Sequence, residues 1–257
     1  MRRLSQEEKR LVIALSKDGK SLRQIAMRLG RRKSTIYYHV RKNFGRKILP
    51  ITPSLAANEK LGEFLGVFAA DGCFYVERKT GHYKLTIDLS GYQMEYAERL
   101  VRIIRSILGK SPRIWVNKKG HTIQLRLYGK PILGILKSYL AWEGRRSHTI
   151  AFRPKALRLG KPFLKGVLRG LIAGDGSIYL PRHRVHFGVV SGKLAQQYSF
   201  VLRGFGIPSH SNVTKYKGKK SLHSVVFSNL ADVKKFKLRV GLTDPAKRKQ
   251  LDDALRR

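Results

Sequence analysis

Cysteine, acidic side chains and long apolar runs are what this chain has least of. A single cysteine, Cys73, stands among 257 residues, which excludes a disulfide framework and a four-thiolate zinc site. No apolar run approaches the roughly 18 residues needed to cross a bilayer, and the opening MRRLSQEEKR lacks the apolar stretch of a secretory signal. The expectation is an intracellular protein, cytoplasmic, nucleoid-associated or organellar, with no membrane partner. Only 16 Asp and Glu oppose 54 Lys and Arg, which leaves a net charge of +38. Such self-repulsion needs a strongly anionic partner, and nucleic acid leads that class. Because 42% of the residues are hydrophobic, the chain can bury a core and is no disordered basic tail. The positive charge runs along the whole sequence instead of collecting on one amphipathic helix, which argues against a membrane-surface role.

Residues 5 to 43 read as three short helices. Ser5 with Glu8 and Ser21 with Gln24 have capping-box spacing, in which a hydroxyl and a side chain three residues on satisfy free backbone donors. Gly19 and Gly30 supply the breaks. Leu22, Ile25, Ala26, Leu29, Ile36 and Val40 form the apolar set of two helices crossing at a tight turn, a pattern that resembles the helix-turn-helix family. The resemblance places Arg32, Lys33, Ser34, Thr35, Tyr38 and His39 on the part of the third helix that meets base edges in the major groove. Pro50 and Pro53 then exclude a continuous helix and mark a domain boundary. The expected organisation is a helix-turn-helix domain at 1–48, a linker at 49–57, and two repeats at 58–153 and 154–257.

Those repeats are the most informative feature. LGEFLGVFAADG (61–72) returns as LKGVLRGLIAGDG (164–176), so that Gly62, Gly66, Ala70 and Asp71 match Gly166, Gly170, Gly174 and Asp175 at an offset of 104. Ser90-Gly91 returns as Ser191-Gly192, each followed by a helical pattern that ends in glycine, at Gly109 and Gly206. Each unit reads helix, strand, strand, helix, strand, strand, helix, and two copies of one unit commonly pack about a pseudo-two-fold axis. Leu85, Ile87 and Leu89 alternate with Lys84, Thr86, Asp88 and Ser90, the mark of a strand with one wet face. Across the repeats that face is basic and polar and includes Lys84, Arg126, His186 and Lys215.

Small residues at four-residue steps give each motif helix a ridge almost without side chains, so two such helices can approach closely. Glycine costs about 1 kcal/mol per helix-interior position relative to alanine, which close packing or function must offset. Each helix ends in Asp-Gly, with glycine read as the residue just past a helix end. Helices packed side by side in the same direction bring Asp71 and Asp175 together at two negative helix ends. A divalent cation removes that penalty, and oxygen ligands with open water positions suit Mg2+.

FLGVFAADG and LRGLIAGDG resemble the two signature motifs of the LAGLIDADG homing endonuclease family in its single-chain form, over residues 55 to 257. The resemblance implies an α+β fold of two pseudo-symmetric αββαββα units with saddle-shaped antiparallel sheets, here preceded by the small all-α domain. It implies a monomer that cuts both strands of a long asymmetric double-stranded DNA site across the minor groove, in the setting of intron homing. Asp71 and Asp175 become the metal ligands, for Mg2+ or Mn2+. Family nucleases add a Lys or Gln near the end of the second strand of each unit and a basic residue near the last helix. Gln93 and Lys193 are the candidates for the first role; Arg145 or Arg146, and Lys247, for the second. The first repeat, with Ser90-Gly91-Tyr92-Gln93, departs from the family by lacking the lysine. Asp88 sits on a face expected to meet phosphates; it either accepts from cytosine N4 or pairs with an arginine. Stacking on Tyr37, Tyr38, Trp115, Tyr128, Tyr179 and Tyr216 would suit RNA, but packing at a helix or strand surface is the commoner use of such residues. His183 and His186 lack further ligands for zinc. The rival class is a DNA-binding regulator or an intron RNA maturase that keeps the fold without cutting DNA. An intein is not expected, since the chain opens on Met1 without flanking splice residues.

Overall fold

The computed structural model describes residues 4–45, 56–77, 81–117, 119, 121–179, 182–215 and 220–256. The proline-containing linker, the turn at Thr80, Gly120 and Tyr216 lie outside them.

Three helices open the chain: α1 (Gln6–Lys17), α2 (Leu22–Arg28) and α3 (Lys33–Phe44). Both capping boxes form, with Ser5 and Ser21 accepting from the amides of Glu8 and Gln24, whose side chains accept from the amides of Ser5 and Ser21 in return. Leu4, Val12, Leu15, Ile25, Ala26, Ile36, Val40 and Phe44 form an apolar cluster of their own, apart from that of the remaining chain. The end of α3 touches the body of the protein where the Lys130 ammonium donates to the Lys42 carbonyl at 2.8 Å.

The first repeat is α4 (Glu59–Asp71), β1 (Gly72–Glu77), β2 (His82–Ser90), α5 (Met94–Leu108), β3 (Arg113–Val116), β4 (Thr122–Tyr128) and α6 (Lys130–Tyr139). A small hairpin of β5 (Leu140–Ala141) and β6 (Ala151–Phe152), with the single-turn α7 (Arg146–Thr149) between them, leads to the second repeat. That repeat is α8 (Lys161–Asp175), β7 (Gly176–Tyr179), β8 (Arg184–Val189), α9 (Gly192–Gly204), β9 (His210–Thr214), β10 (Leu222–Phe227) and α10 (Leu230–Arg239), with α11 (Pro245–Arg256) added at the end. The antiparallel sheets have the same order, β1-β2-β4-β3 and β7-β8-β10-β9, and each repeat follows the expected order of elements. In β2, Leu85, Ile87 and Leu89 are buried against the helices as the alternation predicts. Thr86 on the other face is buried as well, between Cys73 of β1 and Arg126 of β4.

One core joins the repeats, with α4 and α8 at its centre. They run parallel, because contacts advance in step from Gly62 against Phe163 through Gly66 against Val167 to Ala70 against Gly174. A methyl group at Gly62 would stand 2.0 Å from the Phe163 carbonyl oxygen, and one at Gly166 would stand 2.1 Å from that of Glu59. No side chain fits such a gap, so the glycine ridges are the condition for the helices meeting at all. Buried Glu63 ties the halves across this seam: its carboxylate accepts twice from Arg99 of α5 and once from the Thr243 hydroxyl at 2.6 Å.

The glycines after the aspartates serve a purpose different from the expected one. Gly72 and Gly176 have φ of −81° and −85°, open to any residue. Their role is close approach, since a methyl group would lie 2.2 Å from the Phe68 ring or 2.5 Å from the Ile172 carbonyl oxygen.

Candidate metal centre and DNA-facing surface

Asp71 and Asp175 are the last residues of the parallel helices α4 and α8, and so arrive at the same end of the seam. The Asp71 carboxylate lies over Gly174, where an added methyl group would be 2.6 Å from its Oδ2. Burial first, and then the neighbouring Asp175 carboxylate, push the Asp71 carboxyl up to about 7. The Asp175 carboxyl is also raised by burial, opposed by the charges of Lys247 and Arg146.

Those two cations complete the site. The Arg146 guanidinium donates to the carbonyls of Phe68 and Ala69 at 2.8 and 3.0 Å and to that of Ala70 at 3.3 Å. The Lys247 ammonium donates to the carbonyls of Ile172, Ala173, Gly174 and Gly176 at 2.6 to 3.0 Å. Each motif helix therefore ends against one cation, the partly buried Arg146 or the buried Lys247, which adds donors to the carbonyls of the last turn and counters the negative helix end. Burial lowers the pKa of both groups, and the aspartates act in the opposite direction. The electrostatic penalty that the sequence reading left to a bound cation is thus already offset in part by the protein.

Lys247, a candidate near the last helix, lies close enough to Asp71 and Asp175 to feel both charges. The first-repeat counterpart is Arg146; Arg145 is exposed, and its backbone carbonyl accepts from Thr149. Gln93 turns inward, with its amide donating to Asp244 Oδ2 at 2.7 Å and its Oε1 accepting from the Ser90 amide. Asp244 caps the start of α11 through the Ala246 amide, three residues before Lys247. Gln93 therefore braces the segment that carries Lys247. Lys193 is exposed at the start of α9. His183 and His186 turn to different partners, the Ala254 carbonyl and the Ser224 hydroxyl.

Among the described residues no group of three or more His, Cys, Asp or Glu side chains is arranged to hold a metal. A cation between Asp71 and Asp175 would take its remaining ligands from water and a substrate phosphate. That donor set suits Mg2+ or Mn2+, which accept one or two carboxylates with waters and phosphate oxygens.

The outer faces of the sheets carry polar groups. Lys84 is partly exposed, flanked in register by Tyr75 and Tyr128, and Lys215 is exposed just after β9. His186 stands beside the Tyr179 ring, and burial lowers its pKa. Asp88 accepts from the Gln124 side-chain amide, and Gln124 in turn accepts from Arg126, so the pairing of Asp88 with arginine runs through a glutamine. On α3, Arg32, Lys33, Ser34 and Tyr38 are exposed and Thr35 and His39 partly so. The His39 pKa is lowered by burial and by Lys9 and Lys42.

Paired parallel helices with small-residue ridges, each ending in an aspartate and each leading into a four-stranded antiparallel sheet, define the LAGLIDADG fold in its single-chain, two-repeat form. Residues 162–241 match the model of a LAGLIDADG-like domain and residues 1–43 that of a helix-turn-helix domain. The homing endonuclease I-DmoI in complex with DNA and Ca shares the fold at a TM-score of 0.58 and 14% identity, over 77% of this chain and 98% of that one. Its complex with DNA and Mn gives a TM-score of 0.53 at 16% identity, over 72% and 97%. Full-length DUF199/WhiA from Thermatoga maritima gives 0.50 at 16% identity, over 80% of this chain and 62% of that one. A curated relative, the ATP-dependent DNA helicase Hel308 of Methanocaldococcus jannaschii, is 30% identical over 103 residues, 35% of this chain. The chain spans only 8% of that relative's length.

Proposed function

We propose that this protein is a sequence-specific, divalent-metal-dependent endonuclease of double-stranded DNA, acting as a monomer on a long asymmetric site. The observation that carries the reading is the convergence of Asp71 and Asp175 on one end of the α4–α8 seam. Two half-buried carboxylates with raised pKa are a poor arrangement for a protein that only holds DNA, since they would face phosphates. They suit a cation that phosphate also ligates. Bound Mg2+ would lower the pKa of an attacking water and neutralise charge on the leaving oxygen. Asp71 and Asp175 would fix the cation, while Arg146 and Lys247 hold the helix ends, and so the carboxylates, in register with the two scissile phosphates. The outer sheet faces would lie in the major groove, with the exposed α3 residues extending the footprint. The determination of I-DmoI structures with DNA and Mn, Ca or Mg supports the choice of partner and metal.

The test is selection from a random double-stranded DNA library, of cleaved sites with Mg2+ and of bound sites with Ca2+. The expected result is one long, non-palindromic sequence in both selections. Recovery of bound sites without cleavage in Mg2+ or Mn2+ would overturn the nuclease and leave a DNA-binding regulator; recovery of neither from DNA, with retention of structured RNA, would leave a maturase.

Removing residues 1 to 48 should spare the chemistry, because the helical domain has its own core. Affinity should fall, and so should its salt dependence, by about 0.9 in slope for each phosphate that the shortened chain no longer neutralises. Filter binding across a salt series, with cleavage measured at saturating protein, checks this; complete loss of cleavage would contradict a separate reading head.

A further inference from the structure

The outer face of the first sheet holds one arginine in a fixed pose. Arg126 of β4 has its guanidinium over the Trp115 ring, 4.1 Å from the ring centre. Its Nε donates to Gln124 Oε1, and Gln124 Nε2 donates to Asp88 Oδ1. The orientation of Gln124 is dictated by its neighbours, since a carboxylate only accepts and a guanidinium only donates. Stacking and a relay of three side chains therefore lock a group that would otherwise sample many rotamers. The lock uses one face of the guanidinium and Nε. Among the described residues, none accepts from the Nη1–Nη2 edge, and Arg126 stays partly exposed.

On the reading of this sheet as a DNA-facing surface, we infer that Arg126 is a preorganised guanine reader. Two parallel N–H donors in a planar fork match guanine O6 and N7 in the major groove, the pairing that discriminates most sharply among base edges. A phosphate contact has no need of such an arrangement, because a mobile cation serves it equally well. Arg113 lies in register beside Arg126, and like charges directly opposite repel unless an acceptor-rich partner lies over them.

The matching positions of the second sheet hold no equivalent triad. Gly72 pairs with Ile87 as Gly176 pairs with Phe187, which makes Asp88 equivalent to Gly188. The residues opposite are then Gln124 and Ser224, and one step further along the same face Arg126 and Val226. Aspartate, glutamine and arginine in one half thus stand against glycine, serine and valine in the other. The guanine belongs to the half-site under the first repeat alone. It lies in that half-site's inner part, since Arg126 stands in register with Thr86 and Cys73, two residues from Asp71.

The test is selection of bound DNA sites with Ca2+ for the wild-type chain and for Arg126→Lys, Arg126→Gln and Trp115→Ala. Wild type should require guanine at one inner position of one half-site. Arg126→Lys, which keeps the charge and loses the fork, should lower that preference by about 5- to 100-fold, leaving other positions and the salt slope unchanged. Arg126→Gln should remove the preference, and Trp115→Ala should weaken it at the same position. An unchanged site preference in Arg126→Lys, or a uniform loss of affinity in Arg126→Gln with the slope reduced by about 0.9, would make Arg126 a phosphate contact and overturn the inference alone. A wild-type chain that binds no DNA, or all sequences alike, overturns the DNA-reading surface together with it.

Discussion

Asp71→Asn should abolish the DNA cleavage proposed for this protein and make the fold more stable. Cleavage of both strands should fall by about 10²- to 10³-fold or more, the scale on which removing one charge-stabilising group acts. Binding measured with Ca2+ in place of Mg2+ should survive. The stability gain follows from the carboxyl's environment, which moves its pKa from the ordinary 3.8 to about 7. The folded state holds that proton to higher pH than the unfolded chain does. Stability is therefore lost as pH rises from about 4 to about 7, and stays lost above. At 1.36 kcal/mol per pKa unit, asparagine should recover about 2 to 4 kcal/mol at pH 8 and nothing at pH 4. Urea titrations of wild type and variant at the two pH values measure this difference. Equal stability at pH 8 would show that Asp71 is well solvated and place it outside a buried ion site. Added Mg2+ should narrow the gap by stabilising wild type alone, because binding to the folded state adds to its stability.

Gly170→Ala and Gly166→Ala should each destabilise by about 3 kcal/mol or more, the upper range for forcing atoms into a packed interior. The added methyl group at position 170 would lie 2.3 Å from the Glu63 carbonyl oxygen, and the obstacle is backbone, which cannot step aside. The same change at Gly134, in the middle of α6, meets nothing within 4 Å. There it should stabilise by about 0.5 to 1 kcal/mol through helix propensity alone. Thermal or denaturant unfolding of the three variants gives one substitution with two signs. A neutral Gly170→Ala would show that the motif helices are separated enough to slide.

The glycine ridges, the duplicated Asp-Gly and the alternation in β2 were legible because each is a local or repeated pattern. Both capping boxes form for the same reason. What escaped reading depends on partners far away in sequence. Gln93 sits where a pocket residue is expected, yet its partner Asp244 lies 151 positions on, and that contact turns it inward. Neighbouring arginines cannot be told apart by spacing: α7 is a single turn, so one residue's step separates the exposed Arg145 from the partly buried Arg146, which reaches the end of α4. The Asp244-Pro245 pair was a usable helix-start signal, with an acceptor at the cap and proline in the first turn. It announces α11, the element beyond the seven-part repeat that delivers Lys247.

The clamps at the two helix ends are chemically unlike, a guanidinium reaching three carbonyls and an ammonium reaching four. In an assembly of two identical chains any alteration at one clamp would be copied at the other. Covalent linkage of the halves frees each to drift on its own, so under the proposed nuclease function a change confined to Arg146 or to Lys247 would separate the fate of one DNA strand from that of its complement and turn a cutter of both into a nickase for one.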